Sequence, residues 1–184
     1  MPNLVHRREL LTLGAAAGLA AIAAPAWAQS FDVWEPRRAI LDNLHTGETF
    51  NEVYYANGSY LPDALAEATR VMRDWRTGEE RFIDPTLFDA LHAIRGRLET
   101  GSPFQVISGY RSPRTNAMLH ARSNGVAENS QHTIGKAIDV RLPGVELRNL
   151  CNAALSLGAG GVGFYPVSNF VHVDTGRVRQ WQGA

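Results

Sequence analysis

Length, composition and charge place strong limits on this chain. Its 184 residues are 45% hydrophobic and 20% charged, which suits one globular domain with its own core. The 18 basic and 18 acidic side chains balance, and the lack of a basic tract argues against nucleic acid as a partner. The single cysteine, Cys151, cannot form an internal disulfide, and the apolar pattern around it predicts a buried structural thiol.

The N-terminus has the pattern of a targeting segment. Arg7 and Arg8 precede an alanine- and leucine-rich stretch, and residues 26–28 have the small-x-small form read by signal peptidase. We predict a signal peptide of the twin-arginine type over residues 1–28, which would deliver the folded domain 29–184 to the periplasm; an ordinary secretory signal with two arginines is the alternative. The apolar stretch is shorter than the about 20 residues of a spanning helix, so we expect no stable membrane insertion after cleavage.

Periodicity and turn residues predict the elements of the mature domain. In chain order they are strands at 40–45 and 48–55 forming a hairpin, helices at 61–75 and 85–98, a strand at 104–108, a helix at 114–123, a strand at 137–142, a helix at 145–157, and strands at 162–165 and 170–174. Asp84 and Pro85 mark the start of the second helix. The pattern favours an α+β domain in which helices pack on a small, largely antiparallel sheet.

Two of these predicted strands carry side chains of the types that bind metal ions in proteins. With a period of two, Asp139 shares a face with Ala137, and His172 shares a face with Asp174. His132 precedes a tight turn that Gly135 permits. A catalytic zinc ion takes three protein ligands from imidazole and carboxylate groups and leaves one position to water. His132, Asp139 and His172 therefore make a candidate zinc site.

These residues form a motif that resembles a known family. Its pattern is Ser-x-His-x-x-Gly-x-Ala-x-Asp over residues 130–139, a distal His172, and Arg111 in a Gly-Tyr-Arg-Ser turn. The motif is similar to that of the zinc D-Ala-D-Ala carboxypeptidases and murein endopeptidases, and most similar to the murein endopeptidase K branch. Further matches lie at residues 43–48, 73–76, 160–165 and 170–176. The resemblance implies a hedgehog/D-Ala-D-Ala-peptidase-like fold over nearly the whole mature chain.

The resemblance also implies a reaction and roles for several residues. It implies zinc-dependent hydrolysis of peptide cross-links in peptidoglycan by a protein that we expect to be a monomer. Arg111 would stabilise negative charge on the carbonyl oxygen, although a salt bridge that holds its loop is the alternative. Ser130 would hydrogen-bond the substrate, and Tyr110 would line the cleft.

One departure from the family concerns the general base. Many relatives carry it two or three residues before the last histidine ligand, where this chain has Asn169 and Phe170, and neither accepts a proton. Asp174 is the nearest replacement in sequence, either as the base or as the acceptor that orients the imidazole of His172. A D,D-carboxypeptidase and an inactive, zinc-bearing wall-binding protein remain alternatives to the endopeptidase.

Overall fold

One eight-stranded sheet organises the protein. The structure, a computed structural model, describes residues 32–123 and 125–183, and the predicted signal peptide lies outside them. The strands are β1 (Arg37–Asn43), β2 (Thr49–Ala56), β3 (Ser59–Tyr60), β4 (Phe104–Ser108), β5 (Ala137–Arg141), β6 (Gly161–Tyr165), β7 (Phe170–Asp174) and β8 (Arg179–Gln182). Their order across the sheet is β3-β2-β1-β4-β5-β7-β6-β8.

The predicted fold class is confirmed in its main features and wrong in the size of the sheet. The sheet is largely antiparallel, with parallel pairing between β1 and β4 and between β6 and β8. We expected a small sheet, but the N-terminal hairpin joins the later strands through β1 and β4. Two strands were not predicted: β3 has only two residues, and β8, with the sequence Arg-Gln-Trp-Gln, lacks apolar alternation.

Four α-helices accompany the sheet in the part of the chain that the structure describes. They are α1 (Pro62–Val71), α2 (Pro85–Arg97), α3 (Pro113–Arg122) and α4 (Leu147–Leu157). The Asp84 side chain accepts a hydrogen bond from the Thr86 N–H and caps α2, as predicted. None of these helices combines the length and apolar character that crossing a bilayer requires.

The first helix ends four residues before its predicted end. Apolar spacing extends to Trp75, but the chain turns after Val71 because Asp74 is held by a distant segment. The Asp74 carboxylate accepts hydrogen bonds from the backbone N–H groups of Arg76 and of Ser112, at 3.0 and 2.9 Å. Trp75 is therefore left 39% exposed instead of lying on the buried face of α1.

The hydrophobic core lies between the sheet and helices α1, α2 and α4. Buried side chains from these helices pack with those of the central strands in one cluster. Cys151 on α4 is a buried free thiol within this cluster, as predicted. Ile138, Val140, Val171 and Val173 point into this core, so the residues that alternate with them on β5 and β7 face the other side of the sheet and can build a site there.

Candidate metal centre

Backbone pairing places five residues in one row across the sheet. Ser108 pairs with Asp139, Asp139 with His172, His172 with Gly163, and Gly163 with Trp181. Residues paired directly across neighbouring strands present their side chains on the same face. The row therefore carries the Asp139 carboxylate and the His172 imidazole side by side, as the period of two predicted.

The three predicted ligands meet at one point. The His172 Nδ1 atom lies 2.8 Å from Asp139 Oδ1 and 3.1 Å from His132 Nε2, and the distance from His132 Nε2 to Asp139 Oδ1 is 3.2 Å. All three side chains are buried, and one ligand atom from each lies within 4.8 Å of the others. We call His132, Asp139 and His172 the metal cluster.

His132 reaches the metal cluster from a 3-10 turn, Gln131–Ile134, rather than from a strand. The turn starts with Ser130, whose hydroxyl accepts a hydrogen bond from the His132 N–H, and ends at Gly135 in the left-handed conformation. A side chain at Gly135 would collide with the backbone of Phe82. Gly135 thus permits both the turn and its close packing on the segment before α2.

Hydrogen bonds behind each imidazole fix which nitrogen faces the metal cluster. His132 Nδ1 lies 2.6 Å from the carbonyl oxygen of Gly109, which can only accept. His172 Nε2 lies 2.9 Å from the Asp174 carboxylate. In each ring one nitrogen therefore donates outwards, and the lone pair of the other points into the metal cluster.

Asp174 is held rigidly behind His172. It is completely buried and accepts hydrogen bonds from both terminal nitrogens of Arg179, at 3.1 and 2.7 Å, and from the N–H groups of Gly161 and Gly176. Burial by itself would raise the pKa of Asp174, but these hydrogen bonds and that of His172 hold it far below its usual range. A side chain at Gly161 would collide with the Asp174 carboxylate, so this glycine makes the arrangement possible.

The protonation states of the metal cluster fit a cation. Burial lowers the pKa of His132 to about 4, so its ring is neutral at pH 7. Burial would raise the pKa of Asp139, but His132 and Arg111 hold it well below its usual range. Burial lowers the pKa of His172, but hydrogen bonds to Asp139 and Asp174 raise it above its usual value, so a proton can occupy the ring without metal. Two imidazole lone pairs and one carboxylate converge, which is the donor set that zinc prefers.

Arg111 lies beside the metal cluster on the far side of Asp139 from His172. Its Nη2 donates to Asp139 Oδ2, and its Nε donates to the Ser108 hydroxyl at 2.9 Å. The side chain is only 12% exposed but lines the cleft. The salt bridge left open by the sequence is present, and the Arg111 side chain also lies on the cleft lining.

An open cleft of about 890 Å³ runs over the metal cluster. Ser130 and Arg111 lie on its lining, together with Tyr165, Phe170, Arg179 and Trp181. Tyr110 does not line it, contrary to our expectation. Its ring is buried in the hydrophobic core, because the Tyr110 N–H donates to the Met72 carbonyl oxygen and draws this residue towards α1.

Several cleft residues were not recognised from the sequence. Arg179 and Trp181 lie on β8, which pairs in parallel with β6 and has no strand pattern of its own. Trp181 lies 5.1 Å from the His172 ring, measured between ring centroids. The available signal was the dense run of glycines at 160–163, since a glycine inside a strand often marks the close approach of another group.

Known proteins match the chain over almost its full length. A family model described as peptidoglycan L,D-endopeptidase MepK matches residues 32–181. The peptidoglycan L,D-endopeptidase MepK of Escherichia coli strain K12 is 48% identical over 177 residues, which cover 96% of this chain and 97% of that relative. The MepK of Shigella flexneri matches to the same extent. A probable peptidoglycan L,D-endopeptidase MepK from Haemophilus influenzae is 44% identical over 150 residues, 81% of each chain.

Proposed function

The chain belongs to the peptidoglycan L,D-endopeptidase MepK family, a family of metallopeptidases, and from this premise we propose that it hydrolyses L,D cross-links between the peptides of peptidoglycan. It is a murein endopeptidase. The observation that carries the proposal is the convergence of His132, Asp139 and His172 at the floor of an open cleft, with Arg111 beside them. The family explains the reaction class, and the geometry supports a role for each residue.

We propose zinc as the metal and the metal cluster as its ligands. His132 would bind through Nε2, His172 through Nδ1 and Asp139 through Oδ1, because these atoms face one another. Two imidazoles and one carboxylate form a three-ligand set found in zinc hydrolases. Bound zinc supplies a nucleophile near neutral pH and polarises a carbonyl group.

Arg111 has two tasks in this proposal. Its Nη2 holds Asp139 Oδ2, so that Oδ1 stays directed at both histidines. Its guanidinium also places a fixed positive charge beside the carbonyl oxygen of the scissile amide, where negative charge develops in the transition state. Ser130 caps the turn that carries His132, and its position on the cleft lining supports the predicted contact with substrate.

For Asp174 the geometry supports the orienting role over that of general base. Its two oxygens already accept hydrogen bonds from Arg179, from two backbone N–H groups and from His172, and none of its surface is exposed. A general base must reach the proton that it removes, directly or through one water. Asp174 instead fixes the tautomer of His172 and keeps Nδ1 free for the metal.

Cleavage products identified by mass test the proposed activity. We expect zinc-loaded protein to split purified muropeptide dimers joined by an L,D cross-link into monomers. Dimers joined by a D,D cross-link and uncross-linked pentapeptides serve as parallel substrates. Faster release of terminal D-Ala from pentapeptides would assign a carboxypeptidase, and no cleavage of any of the three would assign an inactive wall-binding protein.

We further propose that the domain acts in the periplasm after export by the twin-arginine route. The support is the arginine pair at Arg7 and Arg8 and the fact that the peptidoglycan substrate lies outside the cytoplasm. We expect Arg7→Lys with Arg8→Lys to leave the precursor in the cytoplasm, because the twin-arginine route reads the arginines rather than their charge. Unchanged delivery to the periplasm would assign an ordinary secretory signal.

A further inference from the structure

Trp181 lies closer to the metal cluster than its position on an edge strand suggests. It pairs with Gly163 on β6, and Gly163 pairs with His172 on β7. Because Gly163 has no side chain, the indole covers β6 and comes within 5.1 Å of the His172 ring. A Cβ atom at Gly163 would lie 2.6 Å from two carbon atoms of the indole. The lack of a side chain at Gly163 therefore leaves the space that the Trp181 indole fills.

The indole is part of a fixed aromatic wall, which we define as Tyr165, Phe170 and Trp181. Trp181 Nε1 donates to the Tyr165 hydroxyl at 2.8 Å, and the Tyr165 ring stacks on Phe170 with centroids 4.4 Å apart. The Arg179 guanidinium lies over the indole at 4.9 Å. All three rings line the cleft and are only partly buried. The wall is thus held in place while one side of it remains open to a ligand.

The aromatic wall and Arg111 lie on opposite sides of the metal cluster. The strand order places Asp139 on β5, His172 on β7 and Trp181 on β8, with Arg111 beyond Asp139. A peptide that places its scissile amide at the metal cluster must therefore extend over Arg111 on one side and over the wall on the other. Arg111 is assigned to the reacting carbonyl, whereas the wall has no part in the reaction proposed above.

From this arrangement we infer that Trp181 and Tyr165 form a binding surface for the peptide on one side of the scissile amide, and so set which cross-linked peptides are accepted. The inference rests on the proposed endopeptidase function. A flat indole face offers a large apolar contact for an aliphatic peptide side chain. The Tyr165 oxygen accepts from Trp181 and has no second partner among the described residues, so its own hydrogen can be donated to a peptide carbonyl.

A set of variants tests this surface on a glycan-free, L,D-cross-linked peptide dimer. We expect Trp181→Ala to raise KM about tenfold, with kcat within about threefold of wild type and zinc retained, because the lost contact is with substrate. Tyr165→Phe removes only the hydroxyl and should raise KM about threefold. Trp75→Ala, which removes a partly exposed tryptophan outside the cleft, should leave KM unchanged.

A substitution at Gly163 tests the same binding surface independently. Gly163→Ala should displace the indole and raise KM as much as Trp181→Ala does, whereas the double variant should be no worse than Trp181→Ala alone. Additive losses in the double variant would overturn the inference, as would Trp181→Ala with weakened zinc binding and unchanged KM, since the indole would then support His172 instead of substrate. An effect confined to intact sacculi would overturn the assignment to peptide.

Equilibrium binding separates this inference from the proposed function. Calorimetric titration of the same peptide dimer into metal-free wild type and metal-free Trp181→Ala measures binding without turnover. About tenfold weaker binding to the variant supports the aromatic wall even if the wild type cleaves nothing, and equal binding contradicts it. If Trp181→Ala does not fold, the same titration is made with Tyr165→Phe. We expect this variant to bind the dimer more weakly than wild type does, and equal binding would contradict the inference.

Discussion

Two buried aspartates, Asp89 on helix α2 and Asp139 on strand β5, have almost equal burial and opposite surroundings. Asp89 on α2 accepts hydrogen bonds from Arg37, Tyr54 and Tyr60, at 2.8, 2.9 and 2.6 Å, so its carboxylate is matched by three donors. Asp139 has Arg111 on one oxygen, but its other oxygen faces two imidazole nitrogens whose lone pairs also point inward. Burial alone therefore does not identify a functional acid.

The two carboxylates differ in whether hydrogen-bond donors match their oxygens. A buried carboxylate surrounded by hydrogen-bond donors has its acceptor positions filled, and it contributes to the stability of the fold. A buried carboxylate that converges with the ring nitrogens of two imidazoles brings three potential acceptors together, and this arrangement is stabilised only by a proton or a cation. On this ground we interpret Asp89 and its three donors as structural and the metal cluster as functional.

The largest expected effect distinguishes the two clusters by metal content. We expect His132→Ala or Asp139→Ala to lose tightly bound zinc and all detectable cleavage, because a catalytic site has only three protein ligands. Elemental analysis after dialysis, together with the dimer assay, measures both quantities. Full zinc content in the Asp139→Ala protein would contradict the assignment of Asp139 as a zinc ligand.

A smaller effect is expected at Asp89, and on stability rather than on metal. Asp89→Asn removes the charge that pairs with Arg37, which is itself only 5% exposed, and should lower the free energy of unfolding by about 3–5 kcal/mol. Urea unfolding of the metal-free protein measures this loss. Zinc affinity should match that of the wild type, and a parallel loss of zinc would mean that the surroundings of Asp89 and the metal cluster are coupled.

The smallest of these effects concerns Asp174, which orients a ligand without being one. Asp174→Asn should weaken zinc binding about 10- to 100-fold, and excess zinc should restore most of the rate. The matched control is Asp42→Asn on β1, which should change neither quantity. A variant that keeps wild-type zinc affinity yet cleaves slowly at saturating zinc would instead make Asp174 the general base.

Local patterns predicted the part of the site that depends on local geometry. The alternation along 137–142 and 170–174 was enough to place Asp139 and His172 on one face, because a strand has a fixed period. The role of Asp174 stayed open, since it depends on Arg179 and on two backbone N–H groups brought in by the fold. Tyr110 was misplaced because its contact with Met72 joins distant parts of the chain.

The errors in the fold have the same origin. The end of α1 is set by the contact between Asp74 and Ser112 rather than by helical spacing. The edge strand β8 forms because β6 offers a free edge, and its own four residues have no apolar alternation. Pairing between distant segments decides these features, and periodicity within a short window does not contain that information.

Zinc titration of metal-free protein tests whether cleavage depends on one zinc ion held by the metal cluster. Protein stripped with a chelator is given zinc in measured steps, and the initial rate of cleavage of the L,D-cross-linked dimer is followed at each step. We expect no cleavage without zinc, and a rate that rises in proportion to added zinc until each chain holds a single ion, with no rise in the His172→Ala protein. Stripped protein that cleaves as fast as zinc-loaded protein would contradict this expectation.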